Sequence, residues 1–482
     1  MNLVADPWIP VIFGDGNSRL VGLRELYEAA LELRDLELNP PQRVSVIRLL
    51  LCISQAALDG PVDESDWSSC RNRIVPASIK YLQGRQSKFD LYGDQPFLQV
   101  KGLEPLGNAT LDKLDFGLAS GNNPSLFDHE AREEGRPHPD SWIALMLLTF
   151  QCFSPGGRIG VSKWAGKKTG TGSSDHAPCL ESSPMHSIIR GDRLLDTIYF
   201  NLLTKEQVAK LPNSLWGVPV WDAFPKSQNG DDAQALAHSY LGRLVPISRA
   251  ILLELDNTRF TLANGLSYPK LPAGRETMAT VYIRRRGGQQ EWAYLRVILS
   301  RHPWRELGSL LNLSRVGGDG GALGLDHLQN VRDGTVDLWV GGLASDQAKL
   351  IDMAEWNLTL PLKLLYTAEI TKYQNGVDLA RSGEGSLGFA IKEYGKELTM
   401  EKQVIAGLRQ KALLTYWTTL DTNNQMLVDI ACDGERLLEE WRSFLLKTMY
   451  DAYRQICPHN TPRQIQAFAT GQRVIRIKSL DQ

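Results

Sequence analysis

A glycine-rich segment at residues 154–172 has the composition of a phosphate-binding site. It holds six glycines, no acidic residue and four basic side chains: Arg158, Lys163, Lys167 and Lys168. Glycine lets backbone N–H groups approach a ligand closely, and Lys and Arg neutralise phosphate charge. The segment follows an apolar run, 142–153, that predicts a buried helix. We therefore expect a polyanion-binding loop at the end of a rigid helix; the alternative is a solvated, flexible surface loop.

The glycines do not match the common nucleotide-binding motifs. A P-loop needs Gly, four residues and then Gly-Lys-Ser/Thr, whereas Gly160 and Gly166 are one residue too far apart and Lys168 precedes Thr169. A second glycine cluster, 317–324, does not fit Gly-x-Gly-x-x-Gly in any register. That cluster is more typical of a loop between elements than of a dinucleotide site.

The overall charge is close to neutral, which restricts how the chain could bind nucleic acid. Lys and Arg total 53 and Asp and Glu 55 among 482 residues, a net charge of −2. A protein that coated nucleic acid alone would usually be basic, so such a contact should be local or shared with partner subunits.

The expected compartment and the expected lack of cofactors are both inferred from motifs that the sequence does not contain. It has no run of 18 apolar residues and no signal-peptide pattern at its N-terminus, so a cytoplasmic protein without a membrane partner is expected. The six cysteines are scattered, with no Cys-x-x-Cys pair. Neither a zinc ribbon nor a disulfide framework is predicted, and we expect no metal and no cofactor.

Hydrophobic periodicity predicts the elements that position the glycine segment. Helices are expected at 23–33, 42–58, 142–153 and 185–203, and strands at 8–13, 249–255, 279–284, 291–300 and 338–340. From residue 362 onward the strand signal disappears. Helical blocks are predicted there at 362–376, 387–410, 411–432 and 434–455, with breaks at 383–385, 421–424 and Pro458. We therefore predict an α+β protein, with a mixed α/β domain at 1–360 and a four-helix bundle at 361–482.

Five short motifs in order suggest a family. They are Met1-Asn2-Leu3 with Trp8-Ile9-Pro10-Val11, then 96–102 (PFLQVKG), 153–157 (FSPGG), 189–192 (IRGD) leading to 201–203, and 341–349 (GGLASDQAK). This set resembles the CasA family, the large subunit of the type I-E CRISPR surveillance complex Cascade. The likeness extends from the N-terminus to the C-terminal helices.

The resemblance implies a fold and a set of partners. CasA-like subunits join a mixed α/β domain to a four-helix bundle and are not known as catalysts. They bind the other Cascade subunits near the 5′ handle of the guide RNA. They also read the protospacer-adjacent motif (PAM) of target DNA as duplex, open the DNA beside it and recruit a separate helicase-nuclease.

Site residues follow from the same resemblance. The family's PAM-reading glycine loop matches Pro155–Gly160, with Arg158 and Ile159 where more glycine is expected. The wedge glutamine, which splits the first base pair, matches Gln347, and the guide-handle loop falls at 121–130. The resulting nucleic-acid-binding residues are Gly156, Gly157, Arg158, Gly160, Lys163, Asp346, Gln347, Leu126 and Phe127, with Arg259 or Lys270 in place of a minor-groove lysine.

Less specific interpretations stay open beside these. Gln347 is also compatible with the first turn of a helix, with Ser345 or Asp346 as N-cap. The pattern Arg284-Arg285-Arg286 before two glycines predicts a solvated hairpin turn. A hydrolase or nuclease is the less favoured alternative: His129, His138, His176 and His186 lie in or near predicted loops, but no Gly-x-Ser-x-Gly or His-Glu-x-x-His is present. A scaffold that does not touch DNA is the third class.

Overall fold

The computed structural model describes residues 1–104, 108–118, 136–170, 173–313, 319–329, 334–346 and 349–477. The chain forms two compact units. The first comprises Met1–Leu299, Leu313–Asn330 and Val336–Thr359, and the second comprises Ser300–Asn312, Val331–Thr335 and Leu360–Gln482. The helical unit thus also takes in Ser300–Asn312, while the boundary predicted near residue 360 stays a prediction.

Helices and strands alternate as far as residue 361, and in the described part of the chain only helices follow. Up to residue 300 the elements are β1 (Ile9–Phe13), β2 (Ser18–Val21), α1 (Leu23–Glu28), β3 (Leu33–Leu36), α2 (Pro40–Leu58), α3 (Glu64–Gln83), β4 (Asn108–Thr110), α4 (Asp140–Phe153), β5 (Gly157–Arg158), β6 (Lys163–Trp164), β7 (Lys167–Lys168), β8 (Ser173–Ser174), β9 (His186–Arg190), α5 (Leu194–Asn201), α6 (Lys205–Ala209), α7 (Asp231–Ala237), α8 (Tyr240–Leu244), β10 (Arg249–Leu253), β11 (Arg259–Asn264), β12 (Val281–Arg286) and β13 (Gln289–Tyr294). After residue 300 they are α9 (Leu307–Leu310), β14 (Thr335–Asp346), β15 (Lys349–Pro361), α10 (Thr367–Glu397), α11 (Lys402–Thr422), α12 (Gln425–Cys432), α13 (Leu438–Ile456) and α14 (Pro462–Gln472).

Two buried helices form the centre of the first unit. The start of α2 is fixed by a capping box, in which Asn39 and Gln42 each accept the other's backbone N–H. Every residue of α4 from Ile143 to Phe153 is buried. Both helices were predicted from their apolar spacing, and α2 packs against α4.

Three of the sheets have three strands each, in the orders β2-β1-β3, β10-β11-β4 and β15-β14-β9. The third sheet explains two glycines in β14. A Cβ on Gly341 would lie 2.8 Å from the Ala354 carbonyl oxygen, and one on Gly342 would lie 2.8 Å from that of Pro184. Glycine is needed at both positions because the neighbouring backbone approaches too closely for a side chain.

Two predicted helices in this unit are wrong in type or extent. Residues 185–203 form β9 followed by α5, because His186–Arg190 pairs with β14, for example Ile189 with Leu338. The side chain of Asn201 holds the two elements together through the backbone N–H and carbonyl of Ile189. The helix predicted at 23–33 ends at Glu28. Tertiary strand pairing overrode the apolar spacing in the first case.

The described part of the second unit contains α9 and five C-terminal helices, and α10 packs against each of α11 to α14. The predicted fold class, α+β with a helical C-terminal region, is confirmed. The break predicted at 421–424 is also confirmed, since α11 ends at Thr422.

The break predicted at 383–385 is wrong, because α10 continues through it to Glu397. A Cβ on Gly383 would lie 2.6 Å from the hydroxyl of Tyr416, which donates to the Ala380 carbonyl at 2.9 Å. Gly383 therefore permits close packing of α10 on α11, which outweighs the roughly 1 kcal/mol that glycine costs within a helix. No described helix is long and apolar enough to cross a membrane.

Candidate nucleic-acid interface

The glycine segment folds into two small antiparallel ladders, β5 with β8 and β6 with β7. Ala165 and Gly166 join β6 to β7, with φ of +51° and +75°. Two consecutive left-handed residues suit a tight hairpin, because their twist matches that of the flanking strands. Trp164, only 4% exposed, anchors the hairpin. These strands were not predicted from the sequence.

The base of the segment, where it leaves α4 and returns, is held by buried polar groups. The guanidinium of Arg249 donates to the carbonyls of Pro155 at 2.6 Å and Asp175 at 2.9 Å, and so holds the outgoing and returning chains. Burial lowers the pKa of Arg249 to about 10. The N–H of Gly156 donates to Nδ1 of His176 at 3.0 Å. Burial lowers the pKa of His176, which favours the neutral ring that this bond requires.

Most of the positive charge at the tip, formed by residues 158–168, has no ion-pair partner among the described residues. Arg158, Lys167 and Lys168 are exposed, and none has an ion-pair partner within the described ranges of the chain. Lys163 differs, because its Nζ lies 2.8 Å from Oε2 of Glu104. Three of the four basic residues identified in the sequence are therefore open to an anionic ligand, and the fourth must first leave Glu104.

The predicted loop glycines have different roles. The N–H of Gly156 is used by His176 and so is not open to a ligand. Gly157 has φ of +120°, a conformation that side chains disfavour. Gly160 is exposed, and a Cβ built there would meet nothing within 4 Å. Of these three glycines, Gly160 is therefore the one in open space.

Lys270 lies at the base of the glycine segment, whereas Arg259 lies farther away. Nζ of Lys270 is 3.0 Å from Oδ1 of Asp175. The strand β11 touches the segment through Asn264, whose side chain donates to the Gly170 carbonyl at 3.0 Å. Arg259 begins that strand, roughly 17 Å from Asn264 at about 3.4 Å per residue. The structure therefore places only Lys270 next to the segment.

The end of β14 corrects one interpretation of residues 345–347. Ser345 and Asp346 are the last residues of a strand, so neither caps a helix. Ser345 is held by Ser183, whose Oγ accepts the Ser345 N–H at 2.9 Å and lies 2.8 Å from its hydroxyl. Gln347 lies between β14 and β15, outside the described residues. Leu126 and Phe127 also lie outside them.

Residues 177–183 connect the two predicted DNA-contacting regions. At one end Ala177 donates its N–H to the Ser154 carbonyl at 2.9 Å, beside the glycine segment. At the other end Ser183 holds Ser345 near the end of β14. One short segment therefore contacts both the base of the glycine segment and the strand that leads to Gln347.

The described histidines that a hydrolase could use for catalysis are either in contacts within the fold or buried. His176 accepts from Gly156, as above. His138 lies 2.7 Å from a carboxylate oxygen of Asp112 and stacks on Trp142. His186 is fully buried, and His129 lies outside the described residues. The adjacent Asp175 is paired with Lys270 instead of orienting His176.

Sequence reasoning missed Arg249, because it lies in a predicted strand and its partners are backbone carbonyls without a sequence signal. It also missed a buried group of possible metal ligands, Cys179, His186 and Glu276, whose ligand atoms lie within 4.8 Å of one another. These three residues are far apart in sequence and match no metal-binding motif.

Comparison with known proteins identifies the family. The family model for CRISPR-associated protein Cse1 matches residues 2–452, and so includes the glycine segment, β14 and most of the helical region. The chain belongs to the Cse1 family. The resemblance to CasA read from the five motifs is confirmed.

Relatives within the Cse1 family cover most of the chain. CRISPR-associated protein CasA/Cse1 of Thermus thermophilus is 30% identical over 417 residues, which are 82% of this chain and 77% of the relative. The crystal structure of Thermus thermophilus CasA has a TM-score of 0.78 at 24% identity, covering 98% of both chains. Thermobifida fusca Cse1 has a TM-score of 0.81 at 19% identity, covering 98% of this chain and 96% of the other. A chain of a CRISPR RNA-guided surveillance complex has a TM-score of 0.77 at 17% identity, covering 98% and 99%. These structural likenesses show a shared Cse1 fold.

Proposed function

We propose that the chain is a non-catalytic DNA-recognition subunit of a CRISPR RNA-guided complex, acting in the cytoplasm with the other Cascade subunits. It reads the PAM as duplex, helps to open the target DNA beside it and recruits a helicase-nuclease in trans. Membership of the Cse1 family supports this role. So does the similar fold of a chain from a CRISPR RNA-guided surveillance complex.

The observation that carries the proposal is the exposed, acid-free tip of the glycine segment on a buried base. Arg158, Lys167 and Lys168 are free to neutralise phosphates, and the open backbone at Gly160 allows close approach to a groove. The minor groove is narrow and its hydrogen-bonding pattern degenerate, so a backbone reader accepts several PAM sequences. Because Lys270 lies at the base of the segment, it is a better substitute than Arg259 for the family's minor-groove lysine.

The connection between β14 and β15 is proposed to open the duplex. The side chain of Gln347 replaces the stacking that is lost when the first base pair opens. Without such a replacement, unpairing costs a few kcal/mol. The bonds between Ser183 and Ser345 fix the strand that leads to it. Asp346 precedes the wedge and is unfavourable beside phosphate. The loop at 121–130, with Leu126 and Phe127, is proposed to contact the 5′ handle of the guide RNA.

The test is DNA binding by the assembled complex with and without this chain. Duplexes carrying a PAM library beside a matched target measure recognition, and guide-RNA loading and subunit composition serve as controls. Loss of PAM-dependent affinity with unchanged assembly supports the reader. If only assembly changes, the chain is a scaffold. Metal-dependent cleavage by the pure chain, abolished by a point substitution in it, would replace the proposal with an enzyme.

The wedge is tested separately with Gln347→Ala. This variant should slow R-loop formation on an intact duplex, because no side chain replaces the lost stacking. It should spare a target already mismatched at the first positions, where unpairing costs nothing. Asp346→Asn, the matched control, should be neutral or slightly faster because it removes a negative charge near phosphate. Equal slowing of both targets by Gln347→Ala would show a general structural role instead.

A further inference from the structure

Three potential metal ligands meet in the interior of the first unit. The Sγ of Cys179, a ring nitrogen of His186 and a carboxylate oxygen of Glu276 all lie within 4.8 Å of one another. Sγ of Cys179 and Oε2 of Glu276 are 3.9 Å apart. All three side chains are at most 2% exposed. Thiolate, imidazole and carboxylate are the ligands that zinc uses in proteins.

The imidazole of His186 lacks the partners that a buried ring normally has. Neither ring nitrogen makes a well-formed hydrogen bond within the described ranges, and leaving buried polar groups unsatisfied costs about 1–3 kcal/mol each. Among the described residues, nothing therefore occupies the ring nitrogens that a metal would bind.

Cys152 lies next to Cys179 but does not join the group of three ligand atoms. Both cysteines are fully buried. The backbone N–H of Cys179 donates to the Cys152 carbonyl at 3.1 Å, which keeps the two residues together. Ligand atoms of a tetrahedral zinc site are about 3.3–3.8 Å apart, given zinc–ligand bonds of about 2.0–2.3 Å. The ligand atoms of Cys179, His186 and Glu276 therefore need to move together by only about 1 Å.

We propose that Cys179, His186 and Glu276 bind one Zn²⁺ ion. All three ligands lie in the protein interior, so the ion has a structural role rather than contact with DNA. It is independent of the proposed DNA role, because no ligand belongs to the exposed tip of the glycine segment.

A buried ion pair already holds one of the ligands in place. Nη1 of Arg48 pairs with Oε2 of Glu276, and Nε of Arg48 donates to the Leu244 carbonyl at 2.9 Å. Arg48 then holds the liganding carboxylate from outside the coordination shell. A thiol must lose its proton to bind zinc, so the zinc affinity should rise with pH.

The location gives the ion a structural consequence. Cys152 lies in the last turn of α4, just before the glycine segment, and Cys179 lies just after it. Because the backbone N–H of Cys179 also donates to the Cys152 carbonyl, a zinc ion on Cys179 holds the returning end of the segment beside the outgoing end. It thereby opposes local unfolding of the segment base.

The test measures zinc in the purified full-length chain after dialysis against EDTA, by inductively coupled plasma mass spectrometry. The wild type should retain about one zinc per chain, and Cys179→Ser should retain less than about a tenth of that. Cys432→Ser, a half-buried cysteine in α12, is the matched control and should retain all of it. Wild-type protein that is folded in excess zinc and retains none would overturn the proposal. So would equal retention by folded Cys179→Ser and Cys432→Ser.

Cobalt substitution of the wild type keeps the proposal testable if Cys179→Ser does not fold. Co²⁺ in this site should give the intense ligand-field bands of tetrahedral coordination and a thiolate-to-cobalt charge-transfer band. Added zinc should abolish both. Bound cobalt with weak octahedral bands and no thiolate transition would show surface binding and overturn the assignment.

Discussion

The base and the tip of the glycine segment use similar residue types for different purposes. At the base, Arg249 is buried and donates to backbone carbonyls, and the N–H of Gly156 is taken by His176. At the tip, Arg158 is exposed, and the space around Gly160 is open. The base is built to hold its own chain, while the tip is left available to a ligand. An arginine or a glycine therefore indicates a binding site only where its hydrogen-bonding groups have not been used by the fold.

The largest effect should come from the base. Arg249→Met removes the donor shared by the carbonyls of Pro155 and Asp175, which should lower the free energy of unfolding by about 2–3 kcal/mol. Urea denaturation measures this value. The control is Arg158→Met at the exposed tip, which should stay within about 0.5 kcal/mol of the wild type. Equal destabilisation by the two variants would remove the distinction between base and tip.

The junction between base and tip should show the next largest effect. Gly157→Asp places a side chain at φ +120° and adds a negative charge beside DNA. Strain of about 1–3 kcal/mol and repulsion together should weaken PAM-duplex binding by the assembled complex at least about tenfold, with guide-RNA loading unchanged.

Two control substitutions separate strain from charge at this junction. Gly157→Ala carries the strain alone, whereas Gly160→Asp adds the charge in open space. Gly160→Ala should be neutral. Unchanged DNA affinity for both Gly157→Asp and Gly160→Asp would show that the segment does not contact DNA.

The charges of the tip should act through salt dependence. Substituting Arg158, Lys167 or Lys168 by Gln should weaken duplex binding similarly for all sequences. Each substitution should reduce the slope of log affinity against log salt by about 0.9 if it removes one phosphate contact. Lys163→Gln should change the slope less, because Lys163 pairs with Glu104. Binding titrations across salt concentrations measure the slope; an equal or larger effect of Lys163 would reverse the assignment.

The smallest effect should be a pH dependence at the base. Burial lowers the folded-state pKa of His176 below its ordinary value of 6.5. The unfolded chain therefore binds a proton more readily, and stability should be full above about pH 6.5 and decrease as the pH falls below it. His176→Gln offers an acceptor for Gly156 that does not titrate, so its Tm should fall less between about pH 7.5 and about pH 5.5. Parallel decreases for both proteins would assign the pH dependence to other groups.

The sequence alone determined much about this protein. Strong apolar periodicity located α2 and α4, and the loss of strand signal after residue 362 located the helical region. Five ordered motifs were sufficient to identify the family. These features were readable because each depends on residues that are close in sequence.

Only the tertiary structure decided which chemical groups remain available. It made His186–Arg190 a strand through pairing with β14, and it continued α10 through Gly383 because Tyr416 packs there. It paired Lys163 with Glu104 and Lys270 with Asp175, and it brought Cys179, His186 and Glu276 together in one buried group. The physical reason is that burial, ion pairing and ligand geometry depend on residues far apart in the chain. The local sequence does not indicate which of these distant residues come together.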